Sequence, residues 1–105
     1  MKVIEILGGP ASGKTRLVRM LSDKVWQRKS LIDKFWAVDA DTKTIAVEEV
    51  TVAQLQHIVK ERTLKSGALM VDRFGQDSIE IEMPTFIVTH QTSAGPVKVT
   101  FYDDL

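Results

Sequence analysis

Cysteine is absent, which excludes a disulfide scaffold, a thiolate zinc site, a thiol nucleophile and an iron–sulfur centre. No apolar run approaches the ~18 residues that cross a bilayer, and the opening MKVIEILGGP does not read as a signal peptide. Net charge is lacking too: 14 Lys+Arg stand against 14 Asp+Glu, which argues against a globally basic nucleic-acid binder. Repeats, low-complexity tracts and linkers are missing, so the 105 residues read as one domain, 1–105. With 44% apolar and 27% charged residues the chain is too apolar for disorder. What is left is a soluble globular protein without a membrane partner, suited to the cytoplasm.

The charge balance hides an asymmetry. Residues 1–34 hold eight basic and three acidic side chains, and residues 35–105 hold six and eleven. A neutral chain with that distribution still offers a basic face to phosphates, although a solvated charged helix accounts for most of the excess.

Val3–Leu7 is a short apolar run that stops at Gly8-Gly9-Pro10, the pattern of a buried strand and a turn. Leu17, Val18, Leu21, Val25 and Trp26 then recur at helical spacing, predicting an amphipathic helix over 14–29. Phe35–Val38 suggests a short second strand, Asp39-Ala40-Asp41 a turn, and Thr44–Val47 a third strand. Thr51 followed by Gln54 has the capping-box form and opens a helix that Ser66-Gly67 stops. Residues 68–82 alternate around Arg73–Asp77, predicting a β-hairpin; Thr85–Thr89 and Val97–Tyr102 supply two more strands. Continuous apolar strands predict an α/β fold, a mostly parallel sheet flanked by helices with a β-hairpin between the second helix and the next strand.

Gly8-Gly9-Pro10-Ala11-Ser12-Gly13-Lys14-Thr15 satisfies G-x-x-x-x-G-K-[ST] without a mismatch, between a predicted strand and a predicted helix. A chain that wraps a phosphate turns its N–H groups inward, which glycine permits, and the following helix points its positive end at the same anion. Residues Gly8 through Thr15, with Arg16, are therefore the candidate nucleotide-binding set. In it Lys14 reaches β- and γ-phosphate oxygens and the Thr15 hydroxyl ligates Mg²⁺. The competing reading is a glycine turn with an incidental lysine.

Such a loop needs an acidic partner on a neighbouring strand. Thr44–Glu49 has that form, an apolar strand ending in two acids at the edge where open parallel sheets bind ligands. Glu48 is assigned to the Mg²⁺ shell and Glu49 to orienting and deprotonating the attacking water. Alternatively, the pair begins the next helix, where acids suit the dipole.

The order of these motifs resembles the superfamily-3 helicases, AAA+-related ATPase cores of small DNA viruses and phages, over roughly Met1 to Thr92. Gly9–Thr15 matches their GPxxxGK[ST] loop, Ile45–Glu49 their strand with paired acids, and Gly67–Glu82 their glycine-led B-prime hairpin. Ile87-Val88-Thr89-His90-Gln91 stands where their strand with a polar sensor does. The resemblance implies an AAA+-like P-loop NTPase domain with loop and sensor strands adjacent, ATP and Mg²⁺ as ligands, DNA as partner, and a homo-oligomeric ring in the (host) cytoplasm. It makes Gln91, in place of the usual Asn, a candidate catalytic residue with Lys14 and Glu49; His90 is its competitor. It also makes Arg73 and Phe74 candidate DNA contacts at the hairpin tip, against a reading in which Phe74 packs on its own sheet between Asp72 and Asp77.

The departures are equally concrete. No Arg follows Arg73, so the arginine finger that the family supplies from beyond the sensor strand is missing, and only Lys98 stands there. Arg62 or Arg73 acting in trans are the remaining sources, and slow hydrolysis is expected. The family's origin-binding and helical oligomerisation domains have no counterpart in these residues. The expected function is thus an ATPase in phage or viral DNA replication or remodelling. The alternative is a nucleotide-sensing interaction module with little hydrolysis; a small-molecule kinase ranks last, lacking an Arg-rich lid. Trp26 and Trp36 read as core anchors, and His57 as an exposed helix residue.

Overall fold

The computed structural model describes residues 1–10, 12–22, 24–26, 38–73, 75–92 and 95–105, with backbone only for residues 24–26 and 76. The elements run β1 (Val3–Gly8), α1 (Lys14–Leu21), β2 (Lys24–Trp26), β3 (Thr44–Glu48), α2 (Val52–Arg62), β4 (Leu69–Arg73), β5 (Gln76–Ile81), β6 (Thr85–Gln91) and β7 (Lys98–Tyr102). Five strands form one sheet in the order β2-β3-β6-β1-β7, and β4-β5 form a separate hairpin. Neighbours β2, β3, β6 and β1 are parallel, while β7 returns antiparallel to β1 at the edge. The chain is an α/β protein with a mostly parallel sheet flanked by helices. β1 and β6 lie side by side, the adjacency that the family resemblance implies for loop and sensor strands.

Alternation along each strand divides the core. Val3, Ile45, Val47, Phe86 and Val88 face Leu55 and Val59 of α2 and Leu69, Val71 and Ile81 of the hairpin. Ile6, Ala46 and Ile87 face the other way and meet Val18 of α1. β6 is the middle strand, and Phe86 through Val88 are buried on both sides, as a covered parallel strand requires.

The helix predicted over 14–29 ends at Leu21. Ser22 is extended (φ −112°, ψ 145°), its backbone N–H donates to the Val18 carbonyl, and its hydroxyl donates to the same carbonyl at 2.8 Å. Val25 and Trp26, which fit the helical spacing, belong instead to β2, paired with Ala46 and Val47. The second strand is therefore Lys24–Trp26. The one expected at Phe35–Val38 lies outside the described residues except for Val38, buried and not in a strand, and the core positions expected for the Trp26 and Trp36 side chains also lie outside them.

α2 starts as expected. The Thr51 hydroxyl accepts from the Gln54 N–H at 3.2 Å and the Gln54 side chain accepts from the Thr51 N–H at 2.9 Å. It ends at Arg62, short of Ser66-Gly67, because a tight turn follows in which the Gly67 N–H donates to the Leu64 carbonyl. The Asp39–Thr42 turn is closed by Asp39 Oδ1, which accepts from the Asp41 N–H. His57 is exposed and paired with Glu61 one turn on. No helix among the described residues is long and apolar enough to cross a membrane.

Phe86→Ala removes the largest fully buried side chain and is expected to cost about 3–5 kcal/mol, a large part of what a small domain has. Phe101→Ser, at a position 69% exposed, is expected to stay within about 1 kcal/mol. Urea denaturation of the two variants checks the contrast.

Candidate nucleotide site

The loop of residues 8–16 begins where β1 ends. Gly8 is buried, and a Cβ placed on it would lie 2.5 Å from Ser12 Oγ, so the loop folds back on a position where only glycine fits. Ser12 N–H donates to the Gly9 carbonyl at 3.3 Å, closing the bend. Gly13 is the N-cap of α1 at φ 92°, ψ 12°, a left-handed conformation natural to glycine. The first N–H groups of a helix have no intrahelical acceptor, and here no side chain caps them and no acid stands in the first turn. Lys14 Nζ donates to the Gly9 carbonyl at 3.3 Å, which brings the ammonium back over the loop. Ser12 Oγ is buried without a partner, the orphan that a bound polar group would satisfy. Ser12 through Arg16 line an open hollow of about 340 Å³. Ala11, expected in the same set, lies outside the described residues.

Three parallel strands bring the other candidates to this end of the sheet. Gln91 is in register with Gly8 and His90 with Leu7; both side chains are exposed. The Thr92 N–H donates to the Gly8 carbonyl at 2.9 Å, so the end of β6 is tied to the loop. On the other flank of β6, Glu48 pairs with Thr89. The Glu48 carboxyl has a raised pKa: burial raises it most, then the Glu49 charge, while Arg19 and Lys14 pull it down. Those opposing influences put β3's acid within the field of α1's cations. Glu49 is exposed and has φ 59°, a positive value rarely taken by a residue with a Cβ. It does not begin α2, whose cap is Thr51.

The hairpin stands apart from this cluster. Arg73 is half-buried; its Nε donates to the Asp77 carbonyl at 2.8 Å and its Nη1 to the Val38 carbonyl at 3.4 Å. The side chain staples the hairpin together, which the sequence pattern did not reveal. Arg62 pairs with Asp72 at 3.3 Å, joining α2 to β4. Phe74 lies outside the described residues. A larger hollow of about 470 Å³ opens at the opposite end of the sheet, beside Met1, Val59, Met83 and Leu105, and none of the expected site residues lines it.

Sequence reasoning missed three members of the site. Arg19 acts on Glu48 from the last turn of α1. Thr89 binds the Glu49 N–H, and the Gly95 carbonyl accepts from the Gly9 N–H at 3.3 Å. All three relations join distant parts of the chain or depend on how α1 lies on the sheet.

The donor set suits Mg²⁺ carried in with a nucleotide. Thr15 and Glu48 offer hard oxygens, and among the described residues no group of three or more His, Cys, Asp or Glu forms an all-protein cage. Mg²⁺ keeps several waters and is held by one or two protein oxygens together with substrate phosphates, so two such side chains fit it. Compared with protein-family models, with curated proteins and with solved structures, the chain matches none.

The raised Glu48 pKa has a consequence for stability. Between its ordinary value and the raised one, the folded state holds the proton more tightly than the unfolded chain, so stability falls as pH rises through that window. Glu48→Gln is therefore expected to raise the melting temperature at pH 7 in metal-free buffer. The gain should shrink as pH falls through the raised pKa towards the ordinary carboxylate value. Melting curves of both proteins between pH 4 and 7 check the sign.

Proposed function

We propose that this chain is a Mg²⁺-dependent ATPase of the superfamily-3 helicase-like type, acting on DNA in phage or viral replication or remodelling, and that residues 8–16 hold the triphosphate. One observation carries the reading: a glycine loop with Lys14, the acids Glu48 and Glu49, and the amide Gln91 share one end of the sheet, contributed by three adjacent strands.

In this reading the N–H groups opening α1 donate to phosphate oxygens, and Lys14 exchanges the Gly9 carbonyl for the β- and γ-phosphates. Thr15 and Glu48 would hold the Mg²⁺, which when bound would supply neutralising positive charge to the phosphates. Glu49 takes a proton from the attacking water as the water oxygen bonds to the γ-phosphorus and the bond to the bridging oxygen breaks. ADP and inorganic phosphate leave. Gln91 donates to the γ-phosphate or to that water. In-line displacement of this kind rests on positioning and charge more than on covalent chemistry.

The second reading, a nucleotide-sensing module with little hydrolysis, is favoured by the arginines. Arg62 is paired with Asp72, Arg73 is spent on its own hairpin and on Val38, and no arginine follows. An arginine finger contributes on the order of 10³–10⁵ in rate where one is used. Turnover by this chain alone is accordingly expected to be slow, and a ring would need its cation from elsewhere.

Calorimetry with Mg²⁺-ATP and a phosphate-release assay test the proposal. Lys14→Ala is expected to abolish binding, and Glu49→Gln to keep binding while losing at least ten-fold in phosphate release. DNA at low salt should stimulate release. No binding heat and no nucleotide-dependent rise in melting temperature would overturn both readings. Binding without release, with a nucleotide-dependent change in particle size, would select the second.

A further inference from the structure

Glu49 sits at φ 59°, where a side chain with a Cβ is disfavoured. Neither a glycine nor an asparagine occupies the position, so something outside the residue must hold it there. Two hydrogen bonds from a single partner do so. Thr89 Oγ1 accepts from the Glu49 N–H at 3.4 Å, and the Thr89 carbonyl accepts from the Val50 N–H at 3.2 Å. Thr89 is 3% exposed, fixed on the central strand and in register with Glu48. Two residues on, the same strand reaches Gln91, beside Gly8.

We propose that Thr89 is a positioning residue: it grips two successive N–H groups, breaks the strand alternation at Glu49, and so sets where the Glu49 carboxylate stands. In a continuing strand Glu48 and Glu49 would face opposite sides of the sheet; the left-handed turn at Glu49 removes that constraint. The proposal rests on the nucleotide reading and deepens it by naming the residue that places the hydrolytic acid.

Three variants of the full chain test it. Thr89→Val keeps the shape and loses the acceptor, Thr89→Ser keeps the acceptor, and Thr89→Val in a Glu49→Gln background asks whether the two residues act together. The intraresidue Hα–HN nuclear Overhauser effect of Glu49, strong when φ is positive, is expected in the wild type and Thr89→Ser and should weaken in Thr89→Val, with no nucleotide present. Thr89→Val is expected to bind Mg²⁺-ATP within two-fold of wild type while single-turnover phosphate release falls ten-fold or more. Thr89→Ser should restore release, and Thr89→Val should add nothing to Glu49→Gln. If Thr89→Val melts too low to assay, adding Glu49→Gly, which takes positive φ freely, is expected to restore folding; failure to do so overturns the proposal. Release at the wild-type rate in Thr89→Val, or no strong Overhauser effect in wild type, also overturns it. A wild type that binds no Mg²⁺-ATP overturns the nucleotide reading, and the Overhauser effect still decides the clamp.

Discussion

The parallel pairing of β6 between β1 and β3 is the constraint on which the rest depends. Phe86, Ile87, Val88 and Thr89 are all buried, so neither flank nor face of this strand is free to slip. A shift by one residue would send Phe86 and Val88 from the α2 face to the α1 face and Ile87 the other way. With the register fixed, Glu48 is held beside Thr89, and two residues further along β6 Gly8 is held beside Gln91. The polar end of the sheet is thus positioned by the apolar middle. Flanking strands of six residues (β1) and five residues (β3) set the geometry of groups that could not hold it themselves.

That end of the sheet collects the fold's unfavourable features. A carboxyl is partly desolvated beside a second acid at Glu48, a glutamate is held at positive φ, and a buried hydroxyl at Ser12 lacks a partner. Each costs stability on its own. Their coincidence at one end of the sheet supports the proposed site, since a cation near Glu48 and a polar group at Ser12 would relieve the first and the last. Elsewhere among the described residues polar groups find partners: α2 has a complete capping box, Arg62 has Asp72, and Arg73 has two carbonyls.

The loop was legible because its information is local. Gly8, Gly13 and Lys14 act through covalent spacing and through dihedrals that a reader can assign residue by residue, and the capping box at Thr51 and Gln54 is legible for the same reason. The first helix was not, beyond Leu21. Val18, Leu21 and Val25 keep a helical interval while the backbone has already turned extended at Ser22, and what makes Val25 and Trp26 a strand is β3, some twenty residues away. The role of Thr89 was hidden for a sharper reason. It stands in the stretch Ile87–Gln91 that resembles a sensor strand, and nothing local ties it to Glu49, forty residues earlier. The contacts of Arg73 were hidden as well, because a cation in a hairpin turn reads as free until its guanidinium is found on Asp77 and Val38.

Under the proposed function, a division between binding and chemistry follows from how each half is built. Holding a triphosphate calls on α1 and its loop alone: unpaired N–H groups, Lys14, and further positive charge from Arg16 and Arg19 on the same short helix. Breaking the terminal bond calls on three strands in register, a clamped Glu49 and a charge opposite the leaving group. The first set lies within about a dozen consecutive residues and survives modest distortion of the sheet. The second loses its alignment when any one strand shifts, and its missing cation cannot come from Arg62 or Arg73 without undoing the contacts that attach the hairpin. In such an architecture affinity for nucleotide and rate of hydrolysis are separately adjustable. In the proposed reading, whatever supplies positive charge across the loop, a second copy of this chain or another protein, would control turnover without having to create the nucleotide site.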